Sequence, residues 1–111
     1  MRAELPEDAV VVADGGDFWS FARAGLPAST YLDPGSLGCI GVGTPFGIAA
    51  SLALPERTVV VATGDGAFGF NAMENDTAVR HKAPVLDVLV TPEAASSDDK
   101  SGLAWVPDLQ N

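Results

Sequence analysis

The sequence predicts an α/β fold: an open, mostly parallel sheet with helices on both faces. Three observations carry that prediction. Apolar, β-branched runs at Val10-Val11-Val12-Ala13 and Thr58-Val59-Val60-Val61-Ala62 are continuous rather than alternating, as in strands buried on both faces. Segments of helical character separate the runs, and strands alternating with helices indicate crossovers in a parallel sheet. Glycine-rich turns close the runs, at Asp14-Gly15-Gly16-Asp17 and at Gly64-Asp65-Gly66, at the sheet end where such folds bind ligands.

Taken in order, the first run reads as a buried strand ending in a glycine turn. Phe18 to Ala24 reads as a short helix with Asp17 as its N-cap, ended by Gly25 and Pro27. Tyr31-Leu32-Asp33 adds a brief extended piece before the Pro34-Gly35 turn. Thr44 as N-cap and Pro45 at the first helical position predict a helix running to Leu54, where Pro55 stops it. Small residues crowd this helix, which suits close packing on a sheet or another subunit and equally an ordinary internal helix. Arg57 to Ala62 is a strand, and Gly69 to Val79 a helix whose Phe70, Met73 and Thr77 fall at core spacing. Glu74 and Asp76 on it belong to a solvated face or a helix–loop hydrogen bond. Pro84 to Val90 is a third strand, and Thr91 to Asn111 an irregular tail rich in turn residues.

The chain of 111 residues fits one domain with a modest core. Its 47% hydrophobic and 19% charged residues are those of a globular protein. A formal net charge of −9 argues against binding nucleic acid through the bulk surface, but leaves room for a phosphate site built from backbone N–H groups. Cys39 stands alone, which rules out an internal disulfide and fits a reducing compartment; as a residue type it reads as a small buried thiol rather than a nucleophile. The first eight residues lack the apolar core of a signal peptide, and Pro45, Pro55 and glycines interrupt every apolar run short of membrane-spanning length. A soluble cytoplasmic domain is expected.

The chemistry concentrates at Thr63 to Phe70. Gly64 and Gly66 would let the backbone approach a ligand closely and adopt positive φ. The free N–H groups of Gly66, Ala67 and Phe68, opening the next helix, favour an anion. Asp65 is a hard oxygen ligand for magnesium or calcium, with phosphate oxygens filling other positions. A plain glycine turn capped by Asp65 accounts for the same residues. Gly41-x-Gly43-x-x-x-Gly47 is a loosened dinucleotide fingerprint, but residues 34–38 before it do not read as the strand such a fingerprint needs. His81 reads as a partner of helix-terminal carbonyls, and one His with one Cys gives no zinc site.

Gly64-Asp65-Gly66-Ala67-Phe68-Gly69-Phe70-Asn71-Ala72-Met73-Glu74 followed by Asp76-Thr77-Ala78-Val79-Arg80-His81 resembles the cofactor motif of thiamine diphosphate-dependent enzymes. The resemblance is to the C-terminal, diphosphate-binding domain of the acetolactate synthase-like group. Tyr31 to Gly43 is similar to the segment that holds the aminopyrimidine in that domain. By this resemblance 1–8 is a lead-in, 9–94 a partial thiamine diphosphate-binding domain and 95–111 a C-terminal tail. It implies that Asp65 binds magnesium and that Gly64, Gly66, Ala67 and Phe68 line the diphosphate. Gly38 and Cys39 would meet the aminopyrimidine, Ile40 would be the wedge bending the cofactor into a V, and the Asp14-Gly15-Gly16-Asp17 turn, through Gly16 and Asp17 above all, would add diphosphate contacts. The implied activity is that of a 2-oxo acid decarboxylase or carboligase, a lyase or transferase.

Two departures from the family pattern shape the expectation. The family's second metal ligand, an Asn on the loop after the next strand, has no counterpart: Thr91, Pro92 and Glu93 stand there, with Thr91 or Glu93 as substitutes, and Asn71 and Asn75 come too early. Val85 to Ala94 resembles the last strand of the domain, which implies an internal deletion joined near residues 81–85. The activating glutamate of the family lies on a pyrimidine-binding domain not found in this chain. A partner in trans would have to supply it, in a homo-oligomer if functional. The alternative is a non-catalytic remnant or interaction domain that has lost cofactor affinity; a dinucleotide-binding fragment is a third reading.

Overall fold

The computed structural model describes residues 5–15, 28–90 and 103–105. In chain order these form β1 (Val10–Asp14), β2 (Thr30–Leu32), a 3-10 turn (Gly35–Leu37), α1 (Gly43–Ala53), β3 (Val59–Gly64), α2 (Asp65–Asn71), α3 (Glu74–Arg80), β4 (Leu86–Val90) and β5 (Leu103–Trp105). The sheet order is β2-β1-β3-β4-β5. The first four strands run parallel, and β5 pairs antiparallel with β4. The mostly parallel α/β sheet is thus the one the sequence predicts. The helix expected at residues 18–24, and its cap Asp17, lie outside the described residues.

β1 and β3 are central, which is why both are continuous apolar runs: Val10, Val11, Val12, Val60 and Val61 are all fully buried. The register pairs Val10 with Val59 and Val12 with Val61. These four form one face, against which Ala50 of α1 packs, with Leu32, Leu54 and Val85 around them. α1 approaches closely. A Cβ added at Gly47 would lie 2.5 Å from Val61 Cγ2 and 3.0 Å from Val85 Cγ1, so the small-residue composition serves close helix–sheet packing. Beside it, Ile48 joins Ala78 of α3 and Ala83 in a second cluster. Val11 and Val60 alternate to the opposite face and are equally buried, so both faces are covered.

Several sequence-based expectations are corrected. α1 begins at Gly43, with Val42 as N-cap and no side-chain cap bond from that residue. Thr44 is therefore not the cap; the Gly43 N–H is satisfied instead by the distant carboxylate of Asp14 at 2.8 Å. Pro55 does follow the helix end, where the Leu54 N–H bonds the Ala50 carbonyl at 2.8 Å. The helix expected over 69–79 starts earlier, at Asp65, and is two helices broken at Ala72-Met73. Bonds from Asn75 N–H to Ala72 and from Asp76 N–H to Met73, both 3.1 Å, tighten the chain there into i→i+3 turns. Two glycines and two asparagines between 66 and 75 make this stretch a weak former of one continuous helix.

Phe70 and Met73, expected in the core, are 69% and 84% exposed. The buried residues of α2 and α3 are Ala67 and Ala78, because helices this close to the sheet admit only small side chains beneath them. Among the described residues, the tail expected to be irregular contributes β5, which covers the edge that β4 would otherwise leave open. Cys39 is exposed rather than buried, since it lies on the loop between the 3-10 turn and α1. Among the described residues, no helix is long and apolar enough to cross a membrane.

Candidate functional site

The carboxyl ends of β1 and β3 lie side by side, with Asp14 in register with Thr63. Beyond them Gly15, at φ 101°, leaves the strand where a Cβ would stand 3.0 Å from Ala67 Cβ and 3.2 Å from the Gly64 nitrogen. α2 opens at once on Asp65, after Gly64 as N-cap in extended conformation (φ −79°, ψ 160°) with no side-chain cap bond. The leading N–H groups of a helix have no partner inside it. Strand, turn and helix thus place Gly64, Asp65, Gly66 and Ala67 together on the rim. Asp65 and Gly66 are exposed, Phe68 is half-buried and Ala67 faces the core.

A second loop is fastened to this rim. Asp14 is 1% exposed, and its Oδ2 accepts the Gly41 N–H at 2.9 Å and the Gly43 N–H at 2.8 Å. On the other side of the same residue, Asn71 Nδ2 donates to the Gly41 carbonyl at 2.5 Å. Gly41 has φ 98°, and a Cβ there would come within 2.8 Å of Phe70 Cβ. The loop carrying Gly38, Cys39 and Ile40, all exposed, is therefore moored to β1 and to the end of α2.

The glycines divide into two kinds. Gly41, Gly43 and Gly47 are held by contact: a Cβ at Gly43 would meet Asp14 Cβ and Val61 Cγ1, each at 3.0 Å. That accounts for the dinucleotide-like spacing as packing of α1 and its leading loop, and a 3-10 turn rather than a strand precedes it. Gly64 and Gly66 are different. Neither has positive φ, contrary to the expectation from sequence, and a Cβ at either would meet nothing within 4 Å. The fold itself gives no steric reason for glycine at these two positions.

Other predicted residues take definite places. Gly16, Asp17, Thr91 and Glu93 lie outside the described residues. Asn71 and Asn75 are occupied elsewhere, Asn71 with Gly41 and Asn75 with the side chain of Asp87. Glu74 Oε2 accepts from Thr77 Oγ1 at 2.6 Å, and Asp76 pairs with Arg80 at 2.8 Å, both local bonds on α3. His81 is exposed, and its backbone N–H bonds the Thr77 carbonyl at 3.0 Å. Among the described residues, no group of three His, Cys, Asp or Glu side chains could hold a metal ion.

Sequence reasoning missed what two residues of this arrangement do. Asp14 was legible only as part of the Asp14-Gly15-Gly16-Asp17 turn expected near the diphosphate, although a carboxylate ending an all-apolar strand must find donors in the fold. Asp87, on β4, is 3% exposed and pairs in register with Val61, so it points toward the helices. Burial pushes its carboxyl up from 3.8 to about 6, against a smaller lowering by the hydrogen bond with Asn75. Its Oδ1 has no hydrogen-bond partner.

Comparison with known proteins converges on the same elements. Residues 14–94 match the family described as thiamine pyrophosphate enzyme, C-terminal TPP binding domain. A probable acetolactate synthase of Mycobacterium bovis is 47% identical over 92 residues, 80% of this chain and 17% of that protein. Over 89 residues, 2-hydroxyacyl-CoA lyase 2 of Caenorhabditis elegans is 45% identical, covering 77% of this chain and 14% of the relative. The human 2-hydroxyacyl-CoA lyase 2 is 45% identical over 85 residues, 74% of this chain and 13% of the relative. The chain thus spans only a small part of the length of the curated relatives it matches. The matched span runs from the Asp14 turn through the Gly64-Asp65-Gly66 rim to four residues past β4, and the chain belongs to the family of C-terminal thiamine pyrophosphate-binding domains.

Proposed function

We propose that this chain binds thiamine diphosphate across the carboxyl ends of β1 and β3, with magnesium on Asp65. The observation that carries this reading is the glycine on each side of Asp65 where α2 opens, since the fold gives these two, like Gly69 further along the helix, no steric reason to be glycine. Gly64 and Gly66 have ordinary φ and open space where a side chain would stand, which suits a backbone that a diphosphate approaches closely. The donor set fits: backbone N–H groups of Gly66, Ala67 and Phe68 for the diphosphate, and one hard carboxylate oxygen for the cation. Gly38, Cys39 and Ile40 would hold the aminopyrimidine, with Ile40, 43% exposed, as the apolar wedge. When bound, the cofactor supplies an electron sink for carbanion chemistry.

As part of a larger assembly, the chain would serve a 2-oxo acid decarboxylase or carboligase, a class supported by relatives named as acetolactate synthase and 2-hydroxyacyl-CoA lyase. A pyrimidine-binding domain in trans, within a homo-oligomer, would supply the activating glutamate. The exposed Leu37, Phe70 and Met73 support such a covered surface.

Calorimetry with thiamine diphosphate and magnesium tests the reading. Binding is expected in the parent chain and lost in Asp65→Asn with the circular dichroism unchanged. Gly66→Ala separates ligand from fold: in α2 it should leave the apo domain as stable or more so, yet weaken binding. The second reading is a remnant without cofactor affinity. It is favoured by Thr91-Pro92-Glu93 standing where the family pattern has an Asn as second metal ligand, and a folded chain that binds nothing at millimolar ligand would establish it.

A further inference from the structure

We infer that Asn71 and Asp14 are positioning residues, which hold the backbone carbonyl and N–H of Gly41 between them and so set the separation between the Gly38–Ile40 loop and the Asp65 turn. The inference rests on the thiamine diphosphate reading above and says which side chains join its two halves. Asp14 takes the N–H of Gly41, and Asn71 donates to its carbonyl. α2 runs from Asp65 to Asn71, so one helix carries the diphosphate turn at its start and the loop's anchor at its end. The approach of Gly41 to Phe70 leaves no slack in the joint.

A ligand that touches only the diphosphate turn does not feel this joint. A ligand that must reach both the turn and the loop does, because its two contacts are made together only when the spacing is held. The two asparagines of this region are not equivalent: Asn75 serves the core at Asp87, whereas Asn71 serves the loop.

Inorganic pyrophosphate and thiamine diphosphate, each with magnesium, distinguish the two cases by calorimetry. Asn71→Leu keeps the volume and removes the donor; Asp14→Asn keeps the shape and weakens the acceptor from the other side. The expected result for Asn71→Leu is a loss of roughly tenfold in thiamine diphosphate affinity, with pyrophosphate affinity unchanged. Equal loss for both ligands, or no loss for either, overturns the positioning role while leaving the binding reading in place. A parent chain that binds neither overturns the binding reading and this inference with it. Should Asp14→Asn unfold the domain, Asn71→Leu decides alone, since its side chain is only partly buried.

Discussion

Two buried aspartates in this domain meet opposite fates. Asp14 satisfies its carboxylate with two backbone N–H groups, lying 27 and 29 residues away in sequence. Asp87 has a hydrogen bond with Asn75 and one orphaned oxygen in an apolar layer. Burial raises its pKa from 3.8 to about 6, and the consequence for stability has a definite sign. Below the unfolded value the carboxyl is neutral in both states. Between the two values the folded state keeps the proton that the unfolded state releases, so stability falls as pH rises. Above the folded value the domain bears the whole cost of a buried charge, about 3 kcal/mol. Asp87→Asn should therefore be more stable than the parent at pH 7, with the difference shrinking toward pH 4 in urea melts. A constant difference across that range would refute the assignment. Neither aspartate's fate was legible in sequence, because both sit beside apolar runs and only the distant donors tell them apart.

The elements show what local signals can and cannot report. β1 and β3 were legible because their burial on both faces writes an unbroken apolar run. The start of α1 was misplaced because its N–H donors are capped from another strand, and the Thr44-Pro45 signal could not reveal that. The end of α3 has a similar history. Ala83 N–H bonds the Ala78 carbonyl and Lys82 N–H the Val79 carbonyl, a Schellman closure whose left-handed residue is Lys82 at φ 52°. Glycine ordinarily takes that place, so no sequence signal marked it. Apolar contact between Ala78 and Ala83 holds the turn despite the unfavourable backbone. Lys82→Gly should stabilise the domain by about 1 kcal/mol, seen as a higher urea midpoint with unchanged slope; destabilisation would mean that the lysine side chain holds the turn.

At the scale of the whole molecule, the fold class and the rim were legible, whereas the surface was not. Phe70 and Met73 sit at core-like spacing yet face outward, and the buried positions of α2 and α3 are alanines. Burial predicts the order of local opening: amides of Val60 and Val61 should exchange slowest, and those of residues 38–40 fastest among the described segments, by hydrogen exchange. A core that exchanged as fast as the loop would contradict the sheet order. The parallel pairing of β1 with β3 carries a last consequence, for the order of assembly. β1 is complete at Asp14, but its central partner lies about 50 residues further along. A ribosome must therefore release the apolar β1 with only the three-residue β2 to pair with it until β3 emerges, and β3, once made, supplies the longer of its two ladders.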